Sequence, residues 1–139
     1  MKHRLTALLL TVLIGGCAST GPLRPFTTDG CSAFPDGLPN HRDLWRRCCT
    51  AHDRAYWLGG TYTERRAADR ELRRCVAGAG EPAIAELMLR GVRVGGSPWW
   101  PTSFRWGYGW PYGRGYQTVT PEERAAAEKL LNPNHAPRH

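Results

Sequence analysis

The sequence predicts a small, mainly α-helical domain built on two antiparallel helices and completed by an irregular aromatic segment and a short C-terminal helix. Apolar residues between positions 42 and 58 recur with the α-helical period. A double glycine separates this run from a second helical run, so the two helices should be antiparallel neighbours. Residues 97–117 contain eight aromatic residues, four glycines and three prolines, a composition that favours neither helix nor regular strand.

The N-terminus has the pattern of an export signal. A basic start precedes an apolar run from Leu5 to Ile14, which is too short to span a bilayer. The run ends in Ile-Gly-Gly-Cys, which resembles a bacterial lipobox and implies cleavage before Cys17 and lipidation of its thiol. An ordinary secretory signal is the alternative. The 139 residues therefore divide into a signal peptide (1–16), a lipidated tether (17–26) and one domain (27–139).

Export and lipidation predict a protein of the bacterial cell envelope. Lipid on Cys17 would anchor the chain to a membrane without a transmembrane helix. The residue after Cys17 is Ala18 rather than Asp. As the lipoprotein resemblance implies, this is compatible with sorting to the outer membrane, facing the periplasm. Secretion is the alternative, a monomer is expected, and nucleic acid is excluded as a partner of an exported protein.

The net charge of the chain is +7 and comes mostly from arginine. A solubilising surface is one interpretation, and attraction to anionic phospholipid headgroups is the other. Most arginines of the first two helices, Arg65 among them, are interpreted as solvated helix faces.

Local signals define four helices. The first should run from about 42 to 58 and end at the double glycine. A Thr-x-x-Glu capping box begins the second, which runs to about Val76. Pro82 begins a third, apolar helix, and a Thr-Pro-Glu-Glu motif begins a last short helix that ends at Asn132.

The aromatic segment, residues 97–117, has three possible roles. Its rings suit a membrane interface, where amphipathic aromatic side chains sit at headgroup level. They also suit the wall of an acyl pocket, or a core that would be too small without them. The rings concerned are Trp99, Trp100, Trp106, Tyr108, Trp110 and Tyr112.

Four cysteines remain after Cys17 is set aside, and an even number in an oxidising compartment indicates two disulfides with three possible pairings. They are Cys31, Cys48, Cys49 and Cys75. A zinc site formed by Cys48, Cys49 and His52 is the competing interpretation, since a thiolate and an imidazole four residues apart share a helix face. The oxidising compartment favours the disulfides.

The register of the two antiparallel helices brings two pairs of residues together. Facing positions of antiparallel helices have residue numbers with a constant sum. The pair Cys48 and Cys75 has nearly the same sum as the pair His52 and Asp69. One register therefore allows a disulfide at one level and places a carboxylate beside the imidazole about one turn away.

This constellation is suited to general-base chemistry. A histidine held by a carboxylate has a fixed tautomer and one nitrogen left as a base. Tyr56 lies one turn beyond His52 on the same face and can bond Asp69. Asp53 points about 100° around the helix from His52, where a carboxylate is suited to a metal. The hard oxygen ligands of the Asp53 carboxylate favour Ca²⁺ over zinc.

The motif CCxxHDxxY, which begins at Cys48, resembles the active-site helix of secreted phospholipases A2. The segment ADRELRRC, which ends at Cys75, is similar to their second long helix, and the resemblance covers about Gly30 to Cys75. It implies a fold of phospholipase A2 type, with His52 as the base that activates water and Asp69 as its partner. It also implies that Tyr56 supports Asp69, that Asp53 binds calcium, and that the bridges are Cys48–Cys75 and Cys31–Cys49.

The calcium loop of that family usually has the form CGxGG, whereas this chain has DGCSAFPDG at 29–37. The resemblance implies that backbone carbonyls near Gly30, Ser32 and Phe34 bind Ca²⁺, with Asp29 or Asp36 as alternative ligands. The implied reaction is hydrolysis of the sn-2 ester of glycerophospholipids in a membrane or micelle. The alternative is an inactive lipoprotein that keeps the scaffold and binds lipid or protein in the envelope.

Overall fold

The computed structural model describes residues 21–132, and all regular structure in that range is helical. The helices are α1 (Arg46–Leu58), α2 (Tyr62–Gly78), α3 (Pro82–Gly95) and α4 (Pro121–Leu131). The prediction of a mainly α fold is therefore confirmed. The signal peptide, Cys17 and the first part of the tether lie outside the described residues. Within 21–132, no helix has the length and apolar character that crossing a bilayer requires.

Helix α1 begins at Arg46 rather than near Arg42. Tertiary hydrogen bonds hold the preceding residues in turns. The backbone N–H of Trp45 donates to the carbonyl of Asp36 at 3.1 Å, and its indole N–H donates to the carbonyl of Pro35 at 2.7 Å. The buried Trp45 thus sets where α1 can start, and helical periodicity alone does not contain that information.

The connection from α1 to α2 has the predicted chemistry. Gly59 has a φ of 72° and lies so close to Gly107 that an added Cβ would meet its Cα at 2.9 Å. Thr61 and Glu64 form the predicted capping box. This tight turn makes α2 run back along α1, so that the start of α1 faces the end of α2.

Two disulfides connect the helical regions. Cys48–Cys75 joins α1 to α2, and Cys31–Cys49 joins the loop before α1 to α1 itself. Both pairings are the predicted ones. They also exclude the zinc interpretation, because Cys48 and Cys49 have no thiolate to offer a metal.

The aromatic segment, residues 97–117, divides into an inner and an outer set. Trp106, Tyr108 and Trp110 are buried around the α1–α2 connection. The indole N–H groups of Trp106 and Trp110 donate to the carbonyls of Gly60 and Leu58 at 2.8 and 2.7 Å. Most of the outer rings stay exposed, namely Trp99, Trp100, Phe104 and Tyr112. The inner set therefore completes the core, and a membrane role remains a prediction for the outer set.

Candidate active site

The histidine of α1 lies beside the aspartate of α2, as the register predicts. His52 Nε2 is 3.0 Å from Asp69 Oδ1, and both side chains are buried. An imidazole that donates its Nε2–H to this carboxylate leaves Nδ1 as the basic nitrogen. The pair therefore has the tautomer and orientation that a general base needs.

Tyr56 joins the same carboxylate oxygen. Its hydroxyl donates to Asp69 Oδ1 at 2.7 Å, and its ring lies 4.2 Å from the His52 ring between centroids. Burial, and then the charge of Asp69, raise the pKa of Tyr56, so the hydroxyl stays protonated and keeps its donor. Tyr56 thus holds Asp69, in the position that the sequence predicts.

The second oxygen of Asp69 faces an arginine of α3 whose role the sequence pattern does not predict. Arg93 of α3 places Nε 2.6 Å from Asp69 Oδ2, in an ion pair rather than an aligned hydrogen bond. Asp69 is 0% exposed, and a buried carboxylate without a cation would be costly. Arg93 comes after the buried residues of α3, Ala85 and Met88, but nothing in the sequence pattern specifies Asp69 as its partner.

Arg65 is also part of the site, and its assignment to a solvated helix face is wrong. It is 5% exposed, and its Nε donates to the Tyr56 hydroxyl at 3.1 Å. Its other nitrogens donate to the Tyr116 hydroxyl and to the carbonyls of Val92 and Arg93 at 2.7–2.9 Å. These acceptors lie far along the chain, so the pattern within α2 could not reveal them.

Gly96, directly after α3, gives Tyr56 its space. A Cβ at Gly96 would collide with the Tyr56 hydroxyl and ring. The φ of Gly96 is −89°, which any residue adopts. The position therefore needs glycine for room and not for backbone conformation.

Asp53, the residue after His52 on α1, faces the loop before α1. Its Oδ2 accepts a hydrogen bond from the Thr28 hydroxyl at 2.6 Å. Within residues 21–132 it forms no salt bridge with Lys or Arg. Burial raises the pKa of Asp53 to about 6, against the lowering effects of Thr28 and His52. A partly buried carboxylate with no protein cation is suited to a bound metal ion.

The loop opposite Asp53 offers the predicted carbonyls. In the described part of the chain, no backbone N–H donates to the carbonyls of Gly30, Ser32 or Phe34. Gly30 and Ser32 both have positive φ values, 81° and 41°. Together with Asp53, these oxygens fit the hard donor set that Ca²⁺ prefers.

The alternative carboxylate ligands of the loop have other partners. Asp36 Oδ1 accepts from the backbone N–H of Cys31 at 2.8 Å, and Asp29 Oδ1 accepts from the Ser32 hydroxyl at 2.9 Å. Both therefore help to shape the loop. Among residues 21–132, no three His, Cys, Asp or Glu side chains gather to hold a metal, so a calcium site here would depend on backbone carbonyls.

His52 and Asp53 line a cavity of about 470 Å³, which the loop residues Gly30 to Phe34 also border. Its remaining wall is mostly apolar and comes from α2, α3 and the aromatic segment. The main contributors are Leu72, Leu87, Met88, Val92 and Phe104. A base and a carboxylate at one side of an apolar cavity suit a substrate with a polar reacting group and an apolar chain.

No protein-family model, curated protein or solved structure matches this chain.

Proposed function

We propose that the protein is a calcium-assisted, phospholipase A2-like carboxylic ester hydrolase, with a fold of phospholipase A2 type, that acts on the sn-2 ester of glycerophospholipids. One observation carries the proposal. His52 contacts the fully buried carboxylate of Asp69 and lines a mostly apolar cavity together with Asp53, which pairs with no Lys or Arg among residues 21–132. This arrangement separates the charge that supports a base from a charge that is suited to a metal.

The tautomer of His52 determines which nitrogen acts as the base. Nδ1 of His52 removes a proton from water as the water attacks the ester carbonyl, and Asp69 stabilises the imidazolium that forms. When the tetrahedral intermediate collapses, the ester C–O bond breaks and the imidazolium returns the proton to the leaving glycerol oxygen. Tyr56 and Arg93 hold the two oxygens of Asp69 in place. Bound by Asp53 and the loop carbonyls, Ca²⁺ would supply positive charge for the substrate phosphate and for the oxyanion.

The rim of the cavity supports a lipid surface as the source of substrate. Leu87 and Phe104 line the cavity and are also exposed, and Trp99 and Trp100 follow α3 with 57% and 52% of their surface exposed. Exposed aromatic rings favour the headgroup level of a membrane. We expect a Trp99→Ala, Trp100→Ala double variant to lose vesicle binding in sedimentation without a change in melting temperature. Retained binding with a collapsed melting temperature would contradict the interface role.

A release assay tests the activity. Purified protein is incubated with phosphatidylcholine vesicles, in Ca²⁺ or in chelator, and liberated fatty acid is measured. We expect release in Ca²⁺ only, and none from His52→Gln. Absence of release by folded protein in both conditions would contradict the enzyme, and release that chelator does not affect would contradict only the role of calcium.

The second candidate is an inactive envelope lipoprotein that binds lipid or protein. The observation that favours it is the loop, where Thr28 already donates to Asp53 and the glycines of a CGxGG loop are missing. Vesicle binding without fatty acid release would select this function.

A further inference from the structure

A second cavity, distinct from the one at His52, lies between the stretch 24–27 and the aromatic segment. Its volume is about 860 Å³, and none of its lining residues is acidic. Two arginines, Arg24 and Arg105, line it. The two guanidinium groups therefore have no carboxylate among the described residues that line this cavity.

Arg105 is the more unusual of the two. It is 5% exposed, yet the hydrogen bond found for it is a donation to the Trp110 carbonyl at 2.7 Å. It forms no ion pair within residues 21–132, and the sequence before and after that range contains neither Asp nor Glu. Arg65 is equally buried but donates to four acceptors. A guanidinium has five N–H donors, so Arg105 keeps donors for the cavity that it lines.

Arg24 adds a second positive charge to the same cavity. It donates to the Tyr108 carbonyl at 2.7 Å, which fixes it to the same segment that holds Arg105. Burial lowers the pKa of Arg105, and the charge of Arg24 lowers it further. The two like charges therefore repel each other, and a bound anion would relieve the repulsion.

Thr102 supplies an independent sign of a ligand. Its Oγ1 is buried without a hydrogen-bond partner in the described chain, and Thr102 lines the same cavity. A buried hydroxyl without a partner costs free energy. Two guanidinium groups and a hydroxyl can donate several hydrogen bonds to one tetrahedral oxyanion, and arginine is the residue type that recognises phosphate in this way.

We propose that Arg24, Arg105 and Thr102 form a binding site for a phosphate group, either a soluble phosphate or the phosphate of a lipid headgroup. A smaller cavity that contains Asp53 shares Thr27, Ser103 and Tyr108 with this site. A phosphate bound there would lie beside the candidate active site. The site does not depend on the proposed hydrolysis.

Calorimetric titration with inorganic phosphate tests the site, and it is carried out on His52→Gln so that turnover plays no part. We expect saturable binding, and a Kd raised about tenfold or more in Arg24→Gln, because each lost hydrogen bond to a charged group has about that effect. Thr102→Val should weaken binding by about fivefold. Arg70→Gln removes the same charge from the exposed face of α2 and should leave the Kd unchanged. Absence of saturable binding, or an equal loss in Arg70→Gln, would overturn the proposal.

Vesicles distinguish the two sources of phosphate. The same protein, loaded with phosphate, is mixed with vesicles of phosphatidylcholine and phosphatidylglycerol. Displacement of phosphate from His52→Gln, but not of the residual phosphate from Arg24→Gln, supports a headgroup site. Retained phosphate supports a site for a soluble phosphate. Vesicle-induced release that is equal in Arg24→Gln and Arg70→Gln would overturn the assignment to this cavity.

Discussion

Two carboxylates flank His52, and their surroundings differ completely. Asp69 is fully buried and has a partner on each oxygen, with His52 and Tyr56 on one and Arg93 on the other. Asp53 is partly buried, accepts a hydrogen bond from the Thr28 hydroxyl, and pairs with no Lys or Arg in the described part of the chain. The difference indicates that the charge of Asp69 belongs to the fold, whereas the charge of Asp53 is available to something outside the chain.

The largest effect should come from removing the charge of Asp69. The substitution Asp69→Asn leaves Arg93, whose side chain is 17% exposed, without its carboxylate, so we expect the free energy of unfolding to fall by about 3 kcal/mol. Chemical denaturation measures the loss. Asp43→Asn is the control, because Asp43 is exposed and its one ion pair among residues 21–132 is with Arg46. A loss below about 1 kcal/mol for Asp69→Asn would mean that its charge is not part of the fold.

The charge of Asp53 should matter for stabilisation by bound Ca²⁺ rather than for the folding of the chain itself. At a Ca²⁺ concentration of about 100 Kd, binding should stabilise the wild type by about 2.7 kcal/mol. Asp53→Asn should remain folded and lose this gain, because the carboxylate ligand is gone. Thermal unfolding in Ca²⁺, with Mg²⁺ as the control, measures both. An equal gain from Ca²⁺ in the variant would place the metal elsewhere.

Tyr56 tests how strongly the fold holds Asp69. The substitution Tyr56→Phe keeps the ring packed on Trp106 but removes the hydroxyl between Asp69 and Arg65. We expect a loss of about 1.5 kcal/mol in the free energy of unfolding, since the hydrogen bond is to a charged group. Tyr62→Phe, at an exposed position, is the matched control. Equal effects of the two substitutions would mean that Asp69 does not need Tyr56.

The smallest effect is a pH dependence in chelator. Burial raises the pKa of Asp53 from 3.8 to about 6, so the folded state binds its proton more tightly than the unfolded state. Stability from this group is present below pH 4 and is lost as pH rises through 6. Because Asp53 is partly exposed, we expect a contribution of only about 1 kcal/mol. In urea unfolding, the free energy of unfolding of Asp53→Asn should therefore rise relative to that of the wild type between pH 4 and 6.5. A difference that stays constant with pH would contradict the raised pKa of Asp53.

The pairing of His52 with Asp69 could be predicted from the sequence, because two regular helices are joined by a tight turn. Gly59 and Gly60 fix the reversal, and the register then places Asp69 beside His52 without further information. The same register predicts the bridge from Cys48 to Cys75. Cys31–Cys49 followed only from the family resemblance.

The contacts of Arg65 and the start of α1 could not be predicted, because they depend on segments that are distant along the chain. Arg65 was assigned to solvent because its acceptors belong to α3 and the aromatic segment. The start of α1 was placed too early because Trp45 is held by the loop at 35–36. The aromatic segment has no period, so its division into buried and exposed rings could not be read from spacing.

The close approach of Gly96 to Tyr56 has a consequence for how this sequence can vary. Any side chain at position 96 meets the ring as well as the hydroxyl of Tyr56, so even phenylalanine at position 56 leaves no room. A smaller residue at position 56 would remove this contact but not the one with the Val92 carbonyl, which an added Cβ would meet at 2.7 Å. Among descendants of this sequence, Gly96 should therefore be kept even where position 56 has changed, because the backbone of α3 bars a side chain there on its own.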